Sequence, residues 1–349
     1  MPLPSSVPKA CWTPPMRTFS CRATFALLLG FWSAVCGAQV LKIGALSPEG
    51  SVWMDLLREG GARVAAETEG RVSFKFYPGG VMGDDKAVLR KIRIGQLHGA
   101  VVTAGALVQT YPDIGLYNLP MAFRSGDEVD YVRERLDAEL LAGLEAKGFV
   151  ALGLAEVGFA YAMTQVPVSG VADVRMRKVW VPDNDPGSAR ALQAFGIAPI
   201  PLPIVDVLGG LQTGLIDCVA APPVGAVALQ WHTRVSHVLD VPLMYVYGLF
   251  ALDKRRFERL SAPDQAVVRR VMGQVVGQVN ARSRRDHEQA SAALANQGLE
   301  WRSASAGEMA EWRQLADEAT LRLVEEEYIS AGLYQALQGH LRDFRAGRP

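Results

Sequence analysis

Apolar positions along this chain switch repeatedly between two periods. Val40–Leu46, VLKIGAL, is an apolar run of strand length. Ser51 to Glu69 then places Trp53, Leu56, Leu57, Val64 and Ala65 at helical spacing. Arg71–Pro78, RVSFKFYP, alternates as a strand does. Asp84 to Ile94 returns to helical spacing through Ala87, Val88, Leu89 and Ile92, and Gly99–Gly105, GAVVTAG, predicts a buried strand. A β-α-β-α-β run of this kind calls for a mainly parallel sheet with helices on both faces.

The pattern recurs downstream. Lys178–Val181 predicts a strand, Ser188–Phe195 a helix, Ala198–Pro203 an extended segment, Val205–Thr213 a helix and Ile216–Ala221 a strand. The expected fold class is therefore α/β with two units, roughly 39–160 and 161–248. Tyr245–Leu252, YVYGLFAL, predicts a strand that crosses back to the first unit. Beyond it, Ser261 is placed to cap a helix with Pro263 in its first turn. Val267, Val268, Val271, Val275 and Val279 form its stripe, and the helix extends to about Gln297. Its middle, ARSRRDHEQ, is polar all round and predicts a solvated stretch lying across both units. A last helical region spans Ala306 to about Arg345. No tandem repeat or low-complexity segment is evident beyond the leader.

The N-terminus differs from the rest. Residues 1–38 hold Lys9, Arg17 and Arg22 but no acidic residue, and an apolar run, Ala23–Val35, follows the basic stretch. This fits a secretory signal peptide, with Cys36 and Ala38 as the small residues before a cut at Gln39. Met1 and Met16 are both possible starts. A membrane anchor that stays attached is the competing reading; lipidation of Cys36 is disfavoured by the Val35 before it. Removing the leader takes Cys11, Cys21 and Cys36 and leaves Cys218 alone. An exported chain without disulfides suits a bacterial periplasm. The 36 basic and 36 acidic residues of the whole chain become a net charge of −3 once the three leader cations are gone. No basic surface for nucleic acid is indicated.

Catalytic signatures are missing from the sequence: there is no nucleophile elbow, no P-loop and no HExxH. Cys218 lies inside an apolar strand, as an inert buried thiol does. His232 and His237 have poor spacing for one metal, and DNDP lacks the ligand ladder of a calcium loop. Helix capping by Asp185 or Ser188 is the simpler account of that acidic loop. No metal or cofactor is expected.

At Ile204–Pro223, IVDVLGGLQTGLIDCVAAPP, the chain resembles the DctP-type solute-binding subunits of TRAP (tripartite ATP-independent periplasmic) transporters. SPEGSVW, FYPGGVMGDDKAVLRKIRIGQLHGAVV, LYNLPMAF and RKVWVP extend the resemblance over about 40–300. It implies a two-domain periplasmic-binding-protein clamshell of the second topological class, braced by the long helix. Domain I would be 39–160 plus about 249–300, domain II 161–248, with a C-terminal helical region at 301–349. The implied function is capture of an organic ligand, an organic acid or a more apolar compound, by domain closure. Delivery to a membrane permease would follow, with no catalysis.

Three positions depart from the pattern. Trp180 stands where the family carries a ligand-clamping arginine, Tyr161 where a second arginine is common, and Ala221 where an asparagine is usual; Ile204 keeps the apolar character of its position. An arginine gives a carboxylate two charge-assisted hydrogen bonds, whereas an indole has one neutral donor. The candidate site is Trp53, Thr103, Tyr161, Trp180, Asp183, Ile204, Ala221 and Trp231, an aromatic-walled cleft suited to apolar surface. Plain core packing is the competing reading of Trp180. Backbone N–H groups near Gly187 offer an anion some support, opposed by Asp183 and Asp185. The missing arginines resemble a TRAP subgroup that adds a tetratricopeptide-repeat periplasmic partner. A sensory or interaction subunit, and an exported enzyme using Asp183, Asp185 or His232, remain as alternatives.

Overall fold

The structure is a computed structural model and describes residues 38–347. The expected signal peptide, residues 1–38, lies outside the described residues but for Ala38. In chain order the elements are β1 (Gln39–Ala45), α1 (Val52–Glu67), β2 (Val72–Tyr77), α2 (Asp85–Arg93), β3 (Gly99–Thr103), α3 (Ala104–Leu107), α4 (Gly126–Ala146) and β4 (Phe149–Thr164). Then come α5 (Val171–Arg175), β5 (Trp180–Pro182), α6 (Pro186–Ala194), β6 (Ile200–Leu202), α7 (Val207–Thr213), β7 (Cys218–Ala221), α8 (Pro223–Ala228) and β8 (His237–Leu239). The chain finishes with β9 (Met244–Asp253), α9 (Lys254–Phe257), α10 (Ala262–Asn296), β10 (Glu300–Arg302), α11 (Ala306–Glu325) and α12 (Ala331–Arg345). Among the described residues no helix is long and apolar enough to cross a membrane.

Side-chain caps account for about half of the helix starts. Ser51, Asp84, Ser125, Asp185, Ser261 and Ser305 each accept a backbone N–H at the start of the helix that follows, satisfying a donor that the helix itself leaves open. The stripe Val129, Val132, Leu136, Leu140 and Leu144 seats α4 in the first core.

The strands form two groups. In the first, β1 lies between β2 and β3 and runs parallel to both. β9 joins β3 antiparallel and β4 joins β9 antiparallel, so within this group the first three strands alone meet the parallel expectation, as the β5–β6 and β8–β10 pairs do in the second. In the second, the end of β4 (Tyr161–Thr164) pairs with β7, β8 pairs with both β4 and β10, and the two-stranded β5–β6 ribbon joins β7 through a Val179–Cys218 bridge. β4 and β9 therefore leave one lobe and enter the other. Two strands that connect the lobes in opposite senses must lie antiparallel, which is why the sheet is mixed.

β4 reaches both lobes by bending. Its register against β9 slips between Ala151 and Leu154 and again between Glu156 and Gly158. Each slip carries a glycine in a backbone conformation that L side chains rarely adopt, Gly153 at φ 144° and Gly158 at φ 120°. A Cβ at Gly153 would sit 2.9 Å from Val276, and one at Gly158 would sit 2.7 Å from His287. Both neighbours belong to α10, so the helix packs directly onto the bends.

α10 has 35 residues, a length of about 52 Å at 1.5 Å per residue. Val268, Val271, Met272 and Val275 are buried with Ile43, Met54 and Leu57 in the first lobe, and Leu294 is buried with Trp180 and Val219 in the second. Its polar middle is not merely solvated. Asn280 accepts from Glu156 N at 2.7 Å and donates to Leu154 O at 3.0 Å, and Ser283 donates to Glu156 O at 2.7 Å. Arg284 meets Asp130 and Glu156. These side chains bond the backbone groups around the slips in β4, and that contact explains why a polar stretch runs beside a sheet.

Asn280→Ala removes two of those partners at once. The expected loss is about 2 kcal/mol, read as a lower urea midpoint at unchanged m-value in equilibrium unfolding.

Candidate ligand-binding site

A cavity of about 270 Å³ lies between the lobes. The first lobe contributes Thr103 and Gly105 at the end of β3, and Asn118 from a 3-10 turn. The second contributes Trp180, Asp185, Ile204, Ala221 and Trp231. β4 and β9 supply Val157, Met244, Val246 and Tyr247, and the C-terminal helices and their connection supply Leu323, Tyr328 and Ile329. Strand ends and the crevice between α/β lobes are where such folds place ligands.

Of the residues singled out from sequence, Thr103, Trp180, Ile204, Ala221 and Trp231 line this cavity. Trp180 is 6% exposed and sits edge-on to Trp231, with ring centroids 5.1 Å apart. Its Nε1 donates to Leu202 O at 2.9 Å. Trp180 is thus both core and wall: its ring faces the cavity, and its N–H is already engaged across the β5–β6 pair. Ala221, next to Tyr161 in the β4–β7 register, adds no polar group.

Trp53, Tyr161 and Asp183 fall outside the lining. Trp53 belongs to the face of α1 that packs on α10, beside Val276 and Val279. The Tyr161 ring lies against His287 of α10 and Trp301 of β10, at 5.9 and 5.4 Å between centroids. Asp183 stays partly exposed, 3.9 Å from Lys86 Nζ of the other lobe. In each case a neighbouring element claims the side chain before the cavity does.

Of the polar members, sequence reasoning placed Thr103 in the site and read Asp185 as a helix cap, and it missed Asn118, Tyr247 and Tyr328. Asp185 caps α6, accepting from Ser188 N at 3.0 Å and Ser188 Oγ at 2.7 Å. It presses on Gly105 so closely that a Cβ there would meet Oδ2 at 2.5 Å. Burial pushes its carboxyl above the usual range, against the pull of the Ser188 hydrogen bonds. Asn118 donates to Tyr245 O at 2.9 Å and leaves Oδ1 without a partner. Tyr247 donates to Ile114 O. Thr103 donates through N and Oγ1 to Asp85 Oδ2, at 3.3 and 2.9 Å. Of these, Thr103 at the end of its strand and the capping role of Asp185 had a sequence signal. Asn118 and Tyr328 reach the cavity from a turn and a helix connection that no periodicity marks.

Other candidate chemistry is absent from the cavity. Cys218 is buried and its thiol is pushed up to about 12 by burial. His232 Nδ1 lies 3.1 Å from Ala226 O. Among the described residues no group of three His, Cys, Asp or Glu is placed to hold a metal.

Two lobes joined by crossing strands, with a largely apolar cavity between them and one long helix spanning both, define a clamshell solute-binding protein. The chain belongs to the DctP family, the bacterial extracellular solute-binding proteins, family 7, whose model matches residues 43–327. It is 25% identical over 264 residues to the 2,3-diketo-L-gulonate-binding periplasmic protein YiaO of Escherichia coli, covering 70% of this chain and 75% of that one. It is 23% identical over 254 residues to the C4-dicarboxylate-binding periplasmic protein DctP of Rhodobacter capsulatus, covering 71% and 75%. Among solved structures, the sugar acid binding protein of Advenella mimigardefordensis with galactonate superposes at a TM-score of 0.81 with 18% identity, over 88% of this chain and 98% of that one. A TRAP periplasmic solute binding protein from Desulfovibrio salexigens with bound orotic acid gives 0.78 with 18% identity, over 87% and 97%. These structures share the two-domain clamshell fold.

Asp85 tests the electrostatics of the wall behind Thr103. Burial pushes its carboxyl from 3.8 up to about 6. The folded state therefore favours the protonated acid, and that contribution is complete below 3.8 and lost as pH rises through about 6. Asp85→Asn keeps an acceptor for Thr103 and removes the charge. Urea unfolding across pH should show the variant gaining on the wild-type chain from pH 4 to 7, by on the order of 3 kcal/mol at most. A constant difference would assign the carboxyl an ordinary pKa.

Proposed function

We propose that this chain is the periplasmic receptor of a TRAP-type secondary transporter, exported by a signal peptide cleaved near Ala38. It would capture an organic ligand between lobes formed by 39–160 with about 249–300, and by 161–248. Closure around the ligand then presents the loaded protein to the membrane permease subunits. The observation that carries this reading is the cavity, whose walls come from both lobes and from the strands that join them, because such a site is completed or dismantled by lobe movement. The family match supports it.

The named ligands of the relatives are organic acids, among them 2,3-diketo-L-gulonate, galactonate and orotate. The ligand here is accordingly an organic solute, an acid or a more apolar compound. Among the residues lining this cavity there is no arginine, so the ligand is not read directly from those relatives. A tetratricopeptide-repeat protein is the further partner that the missing arginines suggest by resemblance.

Thermal unfolding against a metabolite library tests the receptor role. A true ligand at about a hundred times its dissociation constant adds about 2.7 kcal/mol, and a library that moves nothing would remove the basis of this reading. Trp180→Arg replaces an apolar wall by a charge. It should weaken the best library compound by about tenfold or more in calorimetry, and unchanged affinity would exclude Trp180 from the site.

A further inference from the structure

The side-chain donors around the cavity are nearly all engaged within the protein. Thr103 Oγ1 donates to Asp85, Ser188 Oγ to Asp185, Trp180 Nε1 to Leu202 O and the Tyr247 hydroxyl to Ile114 O. The start of α6, where free backbone N–H groups could hold an anion, is closed as well, since Ser188 N donates to the Asp185 carboxyl. Among the described residues lining the cavity there is no Lys, Arg or His. The Tyr328 hydroxyl, beside Gly187, and the Trp231 indole N–H are the neutral side-chain donors left.

Against these two neutral donors, the charged group and the unpartnered amide oxygen are acceptors. Asp185 faces the cavity with its hydrogen bonds supplied by α6 and no cation beside it. Asn118 Oδ1 has no partner. A carboxylate entering here would bring oxygens to the Asn118 oxygen and a negative charge to the Asp185 carboxyl, in a largely apolar cavity with no cation to meet it. Transfer of an unpaired carboxylate into such surroundings is strongly unfavourable. A donor, by contrast, meets the unpartnered Asn118 Oδ1 and the remaining lone pairs of Asp185, and a site built for an O–H or N–H discriminates sharply against a ligand that lacks it.

From this inventory we infer that the ligand is a mainly apolar small molecule whose polar end donates hydrogen bonds, as a hydroxyl, amide N–H or ammonium, in place of a carboxylate. The inference rests on the receptor reading and specifies its ligand class. The volume sets the scale. An apolar cavity of about 150 Å³ accepts benzene, and about 270 Å³ accommodates a ring with a short functionalised chain. The Trp180–Trp231 pair supplies the wall for that ring, and Asp185 and Asn118 supply the acceptors for its substituent.

Three probes on one skeleton test this: phenylpropanol, phenylpropylamine and phenylpropanoate, titrated into the purified protein with tryptophan fluorescence and calorimetry as readouts. The alcohol and the ammonium should each bind about tenfold or more tightly than the carboxylate. Asp185→Asn keeps an oxygen for the α6 cap and removes the charge. It should weaken the ammonium about tenfold and leave the alcohol within about threefold. Native mass spectrometry of the wild-type protein as purified gives an independent readout, and a co-purified neutral or amine compound supports the inference. A carboxylate ligand in that spectrum, or phenylpropanoate as the tightest probe, overturns the ligand class and leaves the receptor role standing. Failure of all three probes and of every library compound overturns the receptor role, and this inference with it.

Discussion

The antiparallel pairing of β4 with β9 is the constraint on which the rest of this structure depends. Both strands begin in one lobe and end in the other, so the lobes cannot separate without breaking a ladder. The ladder would hold them too straight for a cleft. Two register slips bend it, and each slip needs a glycine and leaves backbone groups off the ladder. Asn280 and Ser283 of α10 take up those groups. The long helix is thus more than a clamp laid over an apolar seam. It completes the hydrogen bonding of the bend, and the bend in turn sets Val157 of β4 and Met244, Val246 and Tyr247 of β9 along one side of the cavity.

Around that frame the polar groups of the site are arranged to satisfy the protein itself. Asp185 ends a helix, Thr103 binds Asp85, and Trp180 ties β5 to β6 through Leu202. Each of these bonds removes a donor that a carboxylate ligand would need. Trp180 in particular presents an apolar wall whose single donor is turned inward. Gly105 and Gly187 let the surrounding elements close up, the first against Asp185 and the second against Tyr328. The result is a small, mostly apolar enclosure with acceptors at one end.

The elements with strong periodicity were legible in the sequence. α1, α2, β2, β3 and α10 fall within a few residues of where apolar spacing places them, because the helices bury one face behind a capping side chain and the strands carry alternating or continuous apolar runs. α4 carried an equally clear stripe, Val129 to Leu144, and was not read from it. β4 was harder: Gly153 and Gly158 interrupt its alternation, and the interruptions become meaningful only once Val276 and His287 are known to lie opposite. The last helical region reads as one stretch in sequence but divides into α11 and α12, and its contribution to the cavity through Leu323, Tyr328 and Ile329 has no local signal.

By itself the sequence determined most of the α/β elements, the caps at Ser261 and Asp185 and the long spanning helix, since these depend on neighbours within a few positions. Tertiary structure alone decided which side chains meet. Trp53, Tyr161 and Asp183 were reasonable candidates by position, yet α10, β10 and Lys86 draw them elsewhere. Asn118, Asp185 and Tyr328, from three separate parts of the chain, come together at one cavity. The physical reason is that a binding site is a balance of donors and acceptors across the whole enclosure. Whether Trp180, Thr103 or Ser188 offers a proton to a ligand depends on a partner that is distant in sequence for the first two and already on the same helix turn for the third.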